Sequence, residues 1–232
     1  MGLRQRLLDH LDHRLCAAGL LRAADWRDVL AAPDPRLYAG RLSRDLRQYD
    51  GFWGMAPDFP SRRNLAHDVT QPMPLPDAVV AVYQSEDVFE HVAYDRQPHM
   101  FDEIFRVLRP GGLFRLSLPD YRFDAYADRS QRDAAGAIVY DPGGGGRYID
   151  GRVTGGGHLW FPTLESVRAI FAASRFATEG AVRYLHYTAA DGGLVLDPID
   201  YSLGHVQRTP DHDPRAQAPR RPMSIVVDAV KA

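Results

Sequence analysis

Two apolar runs constrain this chain more than any other feature: AVVAVY at 78–83 and LFRLSL at 113–118. Neither run shows the alternation of a strand with one face in water. Continuous β-rich runs of this length suit strands buried on both faces, as in a parallel sheet. Between them, residues 86–108 carry helical spacing, with a break expected near Pro98. Arg109-Pro110-Gly111-Gly112 then stops the helix and turns the chain into the second run. Strands alternating with helices define an α/β protein.

The flanking segments extend this pattern. Residues 3–31 predict a helix whose apolar face holds Leu7, Leu8, Leu11, Leu15, Leu20 and Leu21; Pro33 and Pro35 end it. Short strands are expected at Leu37-Tyr38-Ala39, at Phe52-Trp53-Gly54-Met55 and at Leu65-Ala66, with a short helix over 42–48. Residues 121–162 are irregular and glycine-rich, and an insertion after a strand of an α/β sheet reads as a lid or substrate loop. Thr163 is a candidate N-cap for a helix running to about Ser174. Strands at 180–188 and 223–230 flank a loop at 191–222. The expected organisation is an N-terminal helical extension, 1–35, and a single domain, 36–232, carrying the insertion at 121–162.

The 232 residues have a formal net charge of −2 and no long run of one sign, which argues against nucleic acid held by counterion release. The single cysteine, Cys16, excludes an intramolecular disulfide and fits a reducing compartment. No apolar run reaches the length of a membrane span, and the Arg-rich start lacks the apolar stretch of a signal peptide. A cytoplasmic protein without a membrane partner is expected.

The segment from His67 to Asp120 carries a resemblance. It reads HDVTQPMPLPDAVVAVYQSEDVFEHV, a helix, and EIFRVLRPGGLFRLSLPD. An acidic residue closing a third strand (Asp68), a proline-rich turn (Pro72 to Pro76), an E-H pair (Glu90-His91) and R-V-L-R-P-G-G before a fifth strand follow in order. This resembles the class I S-adenosylmethionine-dependent methyltransferases of small-molecule type. The late HLWFPTLESVRAIFAASRF and the closing SIVVDAVK extend the similarity over roughly 36–232. The resemblance implies a Rossmann-like, seven-stranded mixed sheet, last strand antiparallel, flanked by helices. It also implies S-adenosyl-L-methionine as cofactor and a small-molecule acceptor, in bacterial secondary or sugar metabolism. The family's G-x-G-x-G loop is reduced here to Gly40, within LYAGRLSRD, and Met55 stands where an acidic residue usually grips the ribose.

Candidate cofactor residues by resemblance are therefore Gly40, Asp68 and the Val69 backbone, with Asp58 as a substitute for the missing ribose acid. Gln84 and Ser85 join them at the carboxyl end of the fourth strand, where ligands of open α/β sheets sit. His91 and His158 are the candidate bases, since imidazole titrates near neutrality. No metal site is expected: His10, His13 and Cys16 diverge on a helix, and Asp211-His212-Asp213 sits in a loop. The N-terminal helix is a candidate homodimer contact. The worn glycine loop leaves two alternatives open: non-methylating chemistry on the same fold, and a non-catalytic binding or scaffold protein.

Overall fold

The computed structural model describes residues 3–43 and 45–232; Arg44, inside the shortened glycine loop, lies outside the described residues. In chain order the elements are α1 (Leu3–Ala17), α2 (Trp26–Ala31), β1 (Arg36–Ala39), β2 (Phe52–Met55), β3 (Asn64–Leu65), β4 (Val80–Glu86), α3 (Gln97–Val107) and β5 (Leu108–Pro119). The insertion follows, with α4 (Asp124–Arg129) and two hairpins, β6 (Gln131–Arg132) with β7 (Ile138–Tyr140) and β8 (Arg147–Ile149) with β9 (Arg152–Thr154). The chain closes with α5 (Leu164–Ala172), α6 (Phe176–Glu179), β10 (Gly180–Thr188), β11 (Leu194–Leu196) and β12 (Ser224–Lys231).

The main sheet has the order β11-β10-β12-β5-β4-β1-β2-β3. Strands β1 to β5 run parallel, while β12 inserts antiparallel between β5 and β10. This is the expected Rossmann-like mixed sheet with one addition: β11 pairs antiparallel with β10 and makes an eighth strand. All seven residues of β4 are buried, as its unbroken apolar run demands.

Three local expectations change. The helix expected over 3–31 is two helices, because Gly19 adopts φ +71° and Asp25 starts a new helix with a capping box to Asp28. The one expected from residue 86 begins only at Gln97; two 3-10 turns, Phe89–His91 and Tyr94–Arg96, precede it. Pro98 lies in its first turn, where a missing N–H costs nothing, so the proline starts the helix and does not break it. The short helix expected at 42–48 is a 3-10 turn, Arg47–Tyr49.

One sheet face is covered by α3, α5 and α6. Phe101, Phe105, Phe114, Phe171 and Phe176 meet there at mostly tilted or edge-on angles, with ring centroids 4.8–6.0 Å apart. Thr163 caps α5 as expected, exchanging hydrogen bonds with Ser166. The opposite face carries the Arg47–Tyr49 turn and the loop 197–222. Arg115, fully buried on β5, anchors that loop. It holds Asp228 of β12 through two 2.7 Å contacts and donates to the carbonyls of Asp200 (2.8 Å) and Gly204 (2.5 Å).

Only twelve residues separate β1 from β2, too few for the usual crossover helix. A side chain takes over its holding role. Buried Asn64 accepts from the Leu42 N–H (2.7 Å) and donates to the Leu42 carbonyl (3.0 Å) and to Ser61 Oγ (2.8 Å). This clamp crosses directly over Gly54, where a Cβ would collide with the Asn64 amide and lie 2.7 Å from the Gly40 carbonyl.

Candidate active site

From β1 the chain winds outward to β2 and β3; from β4 it winds the other way to β5. The boundary between β1 and β4 is thus a topological switch point, where open α/β sheets hold ligands beyond the strands' carboxyl ends. A cleft of about 410 Å³ opens there. Gly40, Arg41, Met55, Asp68, Val69 and His91 are among its lining residues.

Gly40 leaves β1 with φ +109°, a conformation that L side chains rarely adopt. A Cβ here would meet Tyr38 and Val88 only at an ordinary 3.5 Å, so the backbone angle, not crowding, selects glycine. Asp68 is exposed at the cleft, with Oδ1 accepting from the Thr70 N–H at 2.9 Å. Met55, Ala56, Pro57, Val88 and Val92 make the remaining wall largely apolar. Arg41 lies over the Phe59 ring, its guanidinium carbon 3.4 Å from the centroid.

Past the cleft lies a buried polar group roofed by the insertion. His91 and His158, 67 positions apart in sequence, meet edge-on with ring centroids 4.6 Å apart. His91 Nδ1 donates to the Gly156 carbonyl at 2.8 Å. Tyr121 donates to Asp141 (2.7 Å) and faces His158 Nδ1 at 2.5 Å, while Arg129 grips Asp141 through 2.7 and 2.6 Å contacts. Burial, then the neighbouring His91, lowers the His158 pKa to about 4, so its imidazole is neutral near pH 7. The fully buried Glu90 carboxyl stands beside them, its pKa pushed well above the usual range by burial.

The remaining candidates lie elsewhere. Gln84 and Ser85 are fully buried within β4 and do not line the cleft. Side chains alternate along a strand, and Gln84 points to the face under loop 197–222, donating to Glu86 at 2.9 Å and to the His205 carbonyl. Asp58 is exposed and outside the cleft lining, one residue beyond Pro57. His13 Nδ1 donates to the Pro60 carbonyl at 3.0 Å and its ring stacks on Phe59. Asp211 is occupied by Tyr201 and Arg220, and Asp213 by Arg215. Sequence reasoning missed Arg41 and Glu90 as site residues. Their signals were position: directly after Gly40, and directly before His91.

The sheet order and its switch point define a doubly wound α/β protein. Residues 54–116 match the family model of a methyltransferase domain, from within β2 to the middle of β5. That part of the chain is similar to methyltransferase domains. A Mycolicibacterium smegmatis protein described as "Probable S-adenosylmethionine-dependent methyltransferase" is 44% identical over 59 residues, 25% of this chain. The chain spans about a fifth (22%) of that relative's length. Among solved structures, a methyltransferase from Methanosarcina mazei aligns at 12% identity and TM-score 0.47, over 91% of this chain and 99% of its own. One from Mesorhizobium loti aligns at 17% identity and TM-score 0.42, over 90% and 99%.

Proposed function

We propose that this chain transfers a methyl group from S-adenosylmethionine to a small-molecule acceptor held under the 121–162 insertion. The observation that carries the reading is the meeting of Gly40, Asp68, Val69 and His91 around one cleft at the switch point. The residues there fit the cofactor's parts. The apolar wall suits an adenine ring, Asp68 accepts from its amino group, and Arg41 offers a cation to the amino-acid carboxylate. When bound, the cofactor supplies an electrophilic methyl on a sulfonium.

The chain's own groups position the acceptor and manage its proton. His91 reaches both the cleft and the buried polar group, so it marks where the acceptor meets the methyl. His158, neutral and desolvated, is available to take a proton from a hydroxyl or amine. Positioning an acceptor in line accounts for much of such a reaction's rate. The mixed apolar and polar lining suits a compact metabolite, consistent with bacterial secondary or sugar metabolism in the cytoplasm, without nucleic acid or membrane as partner.

Calorimetry with S-adenosylmethionine and S-adenosylhomocysteine tests the reading. Asp68→Ala is expected to weaken binding by tens-fold, because one charge-assisted hydrogen bond contributes roughly 1.5–3 kcal/mol. Absence of binding by the native chain at about 1 mM ligand, some 4 kcal/mol of affinity, sinks it.

A second reading concerns assembly. Helix α1 turns its polar edge inward, with Asp9 and Asp12 buried and Arg62 gripping Asp12 at 2.7 Å. Its apolar stripe faces outward: Leu7 is 62% exposed and Leu11 53%. This inverted helix supports a homodimer through α1.

A further inference from the structure

Among the described residues, neither oxygen of the Glu90 carboxylate accepts a hydrogen bond, although the residue is fully buried. A buried carboxylate without a donor or counterion costs several kcal/mol, so such a group calls for a partner. Arg208, a nearby cation, is spent on Asp87 at 2.9 Å. Two imidazoles face Glu90 instead. One ligand atom from each of Glu90, His91 and His158 lies within 4.8 Å of the other two. His158 Nε2 stands 3.5 Å from Glu90 Oε1. That is close to the edge of a tetrahedron built on metal–ligand bonds of about 2.1 Å.

Both histidines are held as ligands are held. A carbonyl accepts only, so His91 carries its proton on Nδ1 toward Gly156 and leaves the Nε2 lone pair free to bind. Tyr121 gives its own proton to Asp141 and therefore accepts from His158 Nδ1, which again leaves Nε2 unprotonated. Arg129 fixes Asp141 behind it. An Arg–Asp–Tyr–His chain is more support than a surface-facing imidazole needs, and carboxylate or carbonyl partners on the outer nitrogen are the usual backing of metal-bound histidine.

We propose that Glu90, His91 and His158 form a divalent-metal site with open positions toward the cleft. Two imidazoles and one carboxylate favour zinc and its first-row neighbours over magnesium or calcium, which prefer all-oxygen sets. The metal neutralises Glu90 and presents its open positions to an oxygen of the acceptor, lowering that hydroxyl's pKa; His158 Nε2 is then a ligand, so in the metal-bound chain the hydroxyl's proton leaves to water and not to that imidazole. The acceptor's binding there rests on the methyltransferase reading; the metal site does not.

The test is Co²⁺ titration of the untagged, metal-stripped full chain, followed by its visible absorption bands, with Zn²⁺ competition. A single equivalent bound at micromolar or tighter affinity is expected. His158→Ala and Glu90→Gln should each weaken Co²⁺ binding at least tenfold, and Tyr121→Phe about tenfold through the outer nitrogen of His158. No band at about 1 mM Co²⁺, or a band unchanged in His158→Ala, overturns the site. Should those variants fail to fold, the native chain decides: Zn²⁺ must shift the NMR ring signals of His91 and His158. Shifts confined to His205 and His212 overturn the proposal. S-adenosylhomocysteine binding is measured separately on metal-free protein. Metal bound without it leaves the site standing and removes the methyltransferase reading; cofactor bound without metal removes the site alone.

Discussion

Replacing Asn64 by Asp changes one atom's chemistry at the clamp that holds the β1–β2 loop. The Leu42 N–H keeps an acceptor, as it has at 2.7 Å in the native chain. The Leu42 carbonyl and Ser61 Oγ lose the amide donor that reaches them at 3.0 and 2.8 Å. An oxygen then faces the Leu42 carbonyl in a position that is only 1% exposed. Two lost hydrogen bonds of about 1 kcal/mol each, with one buried carbonyl left unpaired at about 1–3 kcal/mol, give a loss of roughly 3–5 kcal/mol. For a chain of this size each kcal/mol moves Tm by about 2–4 °C, so a drop on the order of 10 °C is expected. Urea unfolding, followed by the fluorescence of neighbouring tryptophan Trp53, gives the free energy directly. Because the clamped loop carries Gly40 and Arg41 into the cleft, S-adenosylhomocysteine affinity should fall along with stability. A loss below about 1 kcal/mol would refute the idea that this amide replaces a crossover helix.

The remaining expectations concern other parts of the molecule. Arg115→Met should cost about 3–5 kcal/mol by stranding Asp228, and a second change, Asp228→Asn, should recover part of it in the same urea assay. Burial raises the Glu86 carboxyl to about 7 from an ordinary 4.5. The folded state therefore binds that proton more tightly than the unfolded chain. Its stabilising contribution is complete below about pH 4.5 and is lost as pH rises through 7, by roughly 3 kcal/mol. Glu86→Gln should flatten that part of the stability–pH curve; an unchanged slope would assign it to another group. Leu7→Glu with Leu11→Glu should convert a dimer to a monomer in sedimentation, and a mass insensitive to both changes would remove α1 as the contact.

The sheet was legible where sequence pattern and burial coincide. The runs within β4 and β5 are buried on both faces, and β10 occupies the expected 180–188. Legibility failed where a signal had two meanings. Proline near a helix start reads as a break unless its place in the first turn is known, and Pro98 is such a case. The apolar stripe of α1 follows helical spacing, yet Leu7 and Leu11 face outward while Asp9 and Asp12 are buried. At the site, Gly40, Asp68, Val69 and His91 gather because each follows a strand end or the turn beyond it. Gln84 and Ser85 were placed by the same logic but belong to the strand itself, where alternation and neighbouring loops decide direction. The pairing of His91 with His158 could not be read at all, since it depends on the insertion folding back over 67 residues.

The Arg115–Asp228 pair also sets a schedule for synthesis. Its members are 113 residues apart, and β12, which carries Asp228, fills the gap between β5 and β10. At 5–20 residues per second, a growing chain holds the arginine for roughly 6–23 s before its carboxylate leaves the ribosome. During that interval β5 has β4 along one side, an open edge on the other and an interior cation without its carboxylate. A nascent-chain protease or chaperone that recognises exposed strands would meet this protein there, and the loop 197–222 would settle over Glu86 only after β12 has docked.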